Sequence, residues 1–387
     1  MKNIKLYIGL LGTILITLSS CKNDLDVLAP GEETVSVYGI LNPDEPIQNI
    51  RINKVYLTDG DALTSAQDVN QINYAAGELI VTLQRFMTGS TTPTLTTKGN
   101  NSKKEIVLTE TVVTTAGGSF NINQRIWQTT DKLYKSGEYK LTIKRASDNS
   151  IIAYSQTTVI DSVSTAATAS YNNPFSYIPN NPTVYPLHGG YPINPTSIDK
   201  PKYLNYDIFS NQKTISFKSV PNGKIYDVIM RFHFTDSTGS ATATRDSIDF
   251  NFAQQRSTTL EGGELFQTFK FTVNDFYLNI ASELQKRNSQ NIICRKTKYM
   301  EFIVYAGTDD LNTFLLVNQP SNTIAQDKPF YSNITNGVGV FACQSTSRVT
   351  KDLWADFIDK IACHPSTYPY LFYQKNPEQV ATAPCPQ

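Results

Sequence analysis

The sequence has only three histidines, His188, His233 and His364, spread over a chain of 387 residues. No two of them stand at ligand spacing, and no Cys-x-x-Cys pair is present, so a metal centre would need distant residues to converge and none is expected. The phosphate-cradling glycine loop, the Gly-x-Ser-x-Gly elbow and His-Glu-x-x-His are all missing. Nucleotide chemistry and nucleophilic hydrolysis therefore have no motif to rest on, and no cofactor is expected. Charge of one sign is missing too: 34 basic residues balance 34 acidic ones, without long runs of either. That argues against a nucleic-acid or polyanion partner. Charged residues are only 18% of the chain, and long helical stretches are few.

Hydrophobic residues make up 40%, with 21 tyrosines and 19 phenylalanines beside abundant Thr, Ser and Asn. This composition is that of an extracytoplasmic, mainly β protein. The chain is too long for one ordinary core and fits two domains.

At the start, Lys2 and Lys5 precede an apolar run from Leu6 to Leu18, and small residues at Ser19 and Ser20 lead to Cys21. This is the three-part layout of a cleaved secretory signal, residues 1–20. The run is about 13 residues long against the roughly 20 that a spanning helix needs, which disfavours a permanent transmembrane segment. Leu18-Ser19-Ser20-Cys21 resembles the lipobox of bacterial lipoproteins, and the resemblance implies lipid on the Cys21 thiol and amine. Two or three acyl chains make a lasting membrane anchor where one does not. Residues 21–33, polar, acidic and broken by Pro30 and Gly31, read as a lipidated tether. With Asp24 and Asp26 it is similar to the acidic export signals of Bacteroidota surface lipoproteins, although here the acids are separated. The location implied is the outer membrane, surface-exposed, with the periplasmic face as the alternative.

Residues 34–160 contain about seven segments of strand character. Leu79, Val81 and Leu83 alternate with Ile80, Thr82 and Gln84, and Tyr139, Leu141 and Ile143 alternate with Lys140, Thr142 and Lys144. Period-two alternation puts one set against a core. Seven such strands suit an immunoglobulin-like β-sandwich. Residues 161–202 carry Pro174, Pro179, Pro182, Pro186, Pro192, Pro195 and Pro201, and read as an interdomain segment excluded from sheet interiors. Its Tyr177, Tyr185 and Tyr191 are candidates for stacking on sugar rings, or for docking against the β domains.

Residues 203–387 read as a second, larger β-rich domain with one or two short helices. Val228, Met230, Phe232 and Phe234 alternate with Asp227, Ile229, Arg231 and His233. Thr272 and Asp275 form a capping-box pattern ahead of Phe276, Ile280 and Leu284, and a second helix is expected over residues 351–362. Cys294, Cys343, Cys363 and Cys385, an even set bound for an oxidising compartment, are disulfide candidates with three pairings open. The short separation of Cys363 and Cys385 favours that pair.

Val37-Tyr38-Gly39-Ile40-Leu41-Asn42-Pro43, Ile50-Arg51-Ile52-Asn53-Lys54 and the block from Phe330 to Phe341 resemble phrases of a Bacteroidota lipoprotein family of unknown function. In that family a lipobox precedes an immunoglobulin-like domain and a second β domain. The resemblance implies an outer-membrane accessory role, near a TonB-dependent transporter or other surface machinery, and brings no catalytic residues. The carboxylate pairs Asp59 with Asp61, Glu261 with Glu264 and Asp309 with Asp310 read as turn residues. The function expected is non-enzymatic binding of an envelope protein or ligand. The alternatives are a surface glycan hydrolase with unrecognised carboxylates and a purely structural envelope protein.

Overall fold

β-Branched and aromatic residues in period-two runs dictate strands, and in the computed structural model they form them throughout. The structure describes residues 34–55, 72–98, 102–114, 123–161, 203–204, 213–238, 243–287, 291–319, 330–353 and 355–373. Residues 1–33 and 162–202, where the leader, tether and interdomain segment are expected, lie outside these.

The amino-terminal strands are β1 (Thr34–Leu41), β2 (Gln48–Val55), β3 (Leu79–Phe86), β4 (Pro93–Thr94), β5 (Glu105–Val107), β6 (Thr109–Thr114), β7 (Asn123–Thr129), β8 (Glu138–Arg145) and β9 (Ile151–Thr158). They form two layers, with order β1-β2-β7-β6 in one and β4-β3-β8-β9 in the other, β5 joining β3. Val35, Val37, Ile50, Ile52 and Trp127 from the first layer meet Val81, Leu83, Leu141, Ile143 and Ala153 from the second in one buried cluster. This is a sandwich, with alternate side chains of both layers making the core. Tyr139, fully buried, accepts the Tyr134 N–H at 2.8 Å and donates to the Thr96 carbonyl at 2.9 Å, so its hydroxyl is satisfied inside that core.

The carboxy-terminal half adds β10 (Tyr203–Leu204), β11 (Lys213–Lys218), β12 (Ile225–Ser237), β13 (Thr244–Asn251), β14 (Gln255–Arg256), β15 (Leu265–Phe271), β16 (Cys294–Gly307) and β17 (Gly337–Leu353). Three helices stand among the described residues: α1 (Val273–Lys286), α2 (Asp309–Val317) and α3 (Ala355–Cys363). The capping box at α1 is realised: the Thr272 hydroxyl accepts the Asp275 N–H at 3.0 Å, and the Asp275 carboxylate accepts the Thr272 N–H at 3.2 Å. The expected helix over residues 351–362 is corrected at its start, because Lys351 to Leu353 continue β17 and α3 begins at Ala355. α2 begins at Asp309-Asp310, which local reading takes for a turn.

The two halves share one sheet, ordered β13-β12-β16-β17-β1-β2-β7-β6. β17 is the joint. Its first part pairs in parallel with β1, Val35 to Gly337 through Leu41 to Cys343, and its second part pairs antiparallel with β16. The Asn42-Pro43-Asp44 turn grips the same strand: Asn42 Nδ2 donates to Thr346 Oγ1 at 2.6 Å, Asp44 accepts the Thr346 N–H at 2.9 Å, and Glu45 pairs with Arg348 at 3.0 Å. Residues 35–387 accordingly group as a single compact unit.

Both cores lie on one face of this sheet. Phe341 and Cys343 of β17 enter the sandwich core, while Val304 and Ala306 of β16 enter a second core with Phe276 and Ile280 of α1 and Ile358 and Ile361 of α3. On the opposite face α2 packs Leu311 onto Val340 and Ala342, and Phe314 sits edge-on to Tyr38 with 5.7 Å between ring centroids. Among the described residues no helix is long and apolar enough to cross a membrane.

Candidate functional site: the outer face of the carboxy-terminal sheet

Strand alternation sends Val228, Met230 and Phe232 of β12 into the core, and so turns Asp227, Ile229, Arg231 and His233 outward. β16 does the same with Tyr299, Glu301 and Tyr305, while Ile303 shares their parity but is fully buried. Register then assembles rows across four strands. Asp227 lies opposite Tyr305, which lies opposite Thr346; Asn251, Ile229, Ile303 and Arg348 form the next row; Asp249, Arg231 and Glu301 the one after. A register shift between Phe232 and Phe234 brings His233 over Tyr299, with 4.6 Å between ring centroids.

The charges on this face are tied to one another. Arg231 makes a two-pronged pair with Asp249, at 2.6 and 2.7 Å, and that hydrogen bonding holds its guanidinium charged even more firmly than usual. Glu301 takes His233 Nε2 at 3.3 Å on one oxygen and Arg348 Nη1 at 3.6 Å on the other. The result is a set of long side chains held in place by their mutual contacts.

Beside them is an open recess of about 280 Å³, lined by Asp227, Val228, Ile229, Asn251, Phe252, Tyr305 and Gln344. Burial lifts the Asp227 carboxyl above its ordinary range, against the opposing pull of a Gln254 amide donor at 3.3 Å. Gln254 leads on to Arg256, whose Nε donates to Asn312 of α2 at 2.9 Å. The recess wall is thereby linked to the helix that covers the joint.

His233 apart, the candidate residues singled out from sequence fall elsewhere. Cys21, Cys385, Tyr177, Tyr185, Tyr191, His188, Asp59 and Asp61 lie outside the described residues. Glu264 closes a loop by accepting Ser257 Oγ at 2.6 Å and the Thr258 N–H at 2.9 Å, and Asp310 accepts the Tyr331 hydroxyl at 2.6 Å, so these acids serve local structure. Among the described residues no group of three His, Cys, Asp or Glu is placed to hold a metal. His364 stacks on Tyr277 with 4.1 Å between centroids, and its Nδ1 accepts the Ser366 N–H at 3.2 Å.

The cysteines correct one expectation. Neither Cys343 nor Cys363 is in a disulfide, so the expected pairing of Cys363 with Cys385 is not formed. Cys343 is sealed where the two cores meet, and burial pushes its thiol up to about 12. Cys363 ends α3, its thiol also raised by burial. Cys294 is disulfide-bonded, and its partner lies outside the described residues.

The alternation along β12 is legible in the sequence but the site is not, because Asp249, Glu301, Tyr305 and Arg348 join Asp227, Arg231 and His233 only through strand register. No protein-family model matches the chain, and neither does any curated protein.

Proposed function

We propose that this chain is a bacterial lipoprotein, cleaved before Cys21, carried on the outer membrane by lipid on that residue, and acting there as a non-enzymatic binding component of an envelope complex. The observation that carries the reading is the run from Lys2 to Cys21: basic start, apolar stretch of about 13 residues, small residues, cysteine. The amino-terminal half is read as immunoglobulin-like, a scaffold suited to recognition. Supporting that are the orders β1-β2-β7-β6 and β4-β3-β8-β9 and the Tyr139 hydroxyl bonded back to Tyr134, the device of a tyrosine corner. The edge strand β6 leaves Val112 and Val113 exposed, and such an edge suits pairing with a partner protein. That the partner is a TonB-dependent transporter rests on the family resemblance.

Binding is favoured over glycan hydrolysis by the spacing of the outer-face acids. Asp227 in the recess is two rows, four residues along the strand, from the row of Asp249 and Glu301, or about 13 Å. Paired glycosidase carboxylates stand no more than about 9.5 Å apart. Both distant acids are also committed to cations. Crosslinking in intact cells, followed by affinity purification, tests the reading: recovery of a discrete envelope protein supports it, and recovery of monomer and lipid alone opposes it.

A further inference from the structure

We propose that the outer face of β12, β13, β16 and β17 binds an uncharged oligosaccharide lying along β16, with one sugar ring seated in the Asp227–Tyr305 recess. This goes beyond the anchoring and partner reading and does not depend on it.

Three observations carry the assignment. The recess presents one carboxyl group and two primary amides, those of Asp227, Asn251 and Gln344, around the apolar walls of Ile229 and Phe252. Carboxyl and amide groups offer adjacent donors and acceptors, which match the neighbouring hydroxyls of a sugar ring. At about 280 Å³ the open recess falls just below the usual range of ligand pockets, which limits it to a single ring with the remaining units outside.

Secondly, the face is acidic on balance, because Asp227, Asp249 and Glu301 outnumber Arg231 and Arg348, and Arg348 is shared with Glu45. Arg231 is neutralised by Asp249, and Glu301 lies between His233 and Arg348. A phosphorylated or acidic ligand would have to break these pairs, whereas hydroxyl groups can share their remaining lone pairs and N–H groups without doing so.

Thirdly, Tyr299 and Tyr305 share the outward parity of β16, six residues and so about 20 Å apart, and both rings are half-buried. Aromatic side chains that far apart, Tyr299 with His233 already packed against its ring, would be bridged by several linked sugar units and not by one compact metabolite.

The test uses the full chain purified in detergent and a panel of short uncharged hexose, pentose and N-acetylhexosamine oligosaccharides, with acidic glycans alongside, followed by calorimetry on the best binder. Asn251→Ala and Tyr305→Phe probe the recess, Tyr299→Ala the far end, and Ile151→Ala, exposed on β9, is the control. The expected result is saturable binding of an uncharged oligosaccharide, weakened about tenfold or more by Asn251→Ala and by Tyr299→Ala, with unchanged melting temperatures and an unaffected control. Tyr305→Phe should lose the hydroxyl contribution alone, and therefore weaken binding less than Asn251→Ala. The proposal is overturned if no uncharged glycan binds, if binding survives the face variants, if only acidic glycans bind, or if the face variants abolish a protein crosslink instead. Cys21→Ser keeps glycan binding while losing the anchor, so the two readings fail separately.

Discussion

Gly339 of β17 stands directly opposite Val37 of β1 in a parallel ladder, with φ of +111°, and a Cβ there would lie 2.1 Å from the Val37 carbonyl oxygen. The joint between the two halves therefore needs glycine for both conformation and clearance. Gly339→Ala is expected to cost at least about 2 kcal/mol, because the strand must shift or a strained φ be held. Denaturant unfolding followed by Trp fluorescence checks this, and because the sheet is continuous, both halves should lose stability together. An unchanged midpoint would mean that the β1–β17 pairing is not what joins them.

The thiols make a second prediction. Cys343, fully buried, should resist alkylation in the folded protein, and Cys363 should react slowly. Cys294 is disulfide-bonded while neither Cys343 nor Cys363 is, which leaves Cys21 and Cys385 as candidates for its partner. If lipid occupies the Cys21 sulfur, the disulfide must be Cys294 with Cys385. Non-reducing peptide mapping should recover that linked pair, and a Cys294 peptide free of any disulfide would contradict it.

How much of this was legible beforehand follows the range of the interactions. The alternation of Val228, Met230, Phe232 and Phe234 is local and became the buried side of β12; the Thr272–Asp275 box is local and became the cap of α1. The pairing of β1 with β17 joins residues some three hundred positions apart, and nothing in the Val35 to Leu41 pattern names its neighbour. α2 was missed because Asp309-Asp310 after Gly307-Thr308 has the composition of a turn, while the reason for a helix is distant: Leu311 covers Val340 and Ala342. The outer face escaped for the same reason. Arg231, Asp249 and Glu301 are unremarkable singly and become a constellation only when register places them in one row.

Acid sensitivity gives a third prediction. Hydrogen bonds from the Ser257 hydroxyl and then the Thr258 N–H hold the Glu264 carboxyl below its ordinary 4.5. A carboxyl lowered on folding contributes stability that is present above the unfolded value and lost as the pH falls through the folded one. Stability should therefore decline below pH 4.5, and Glu264→Gln should flatten part of that decline. Unfolding midpoints across this range check it; identical pH profiles for the two proteins would exclude a contribution from Glu264.

The central claim concerns Cys21, and metabolic labelling with an alkynyl fatty acid, combined with mass spectrometry of the mature amino terminus, measures it directly. The account predicts that the wild-type chain begins at a diacylglyceryl-modified, acylated Cys21 and fractionates with the outer membrane, while Cys21→Ser is unlabelled and remains uncleaved or is released. An unlabelled wild-type chain, or a mature amino terminus at any residue other than Cys21, would contradict the claim.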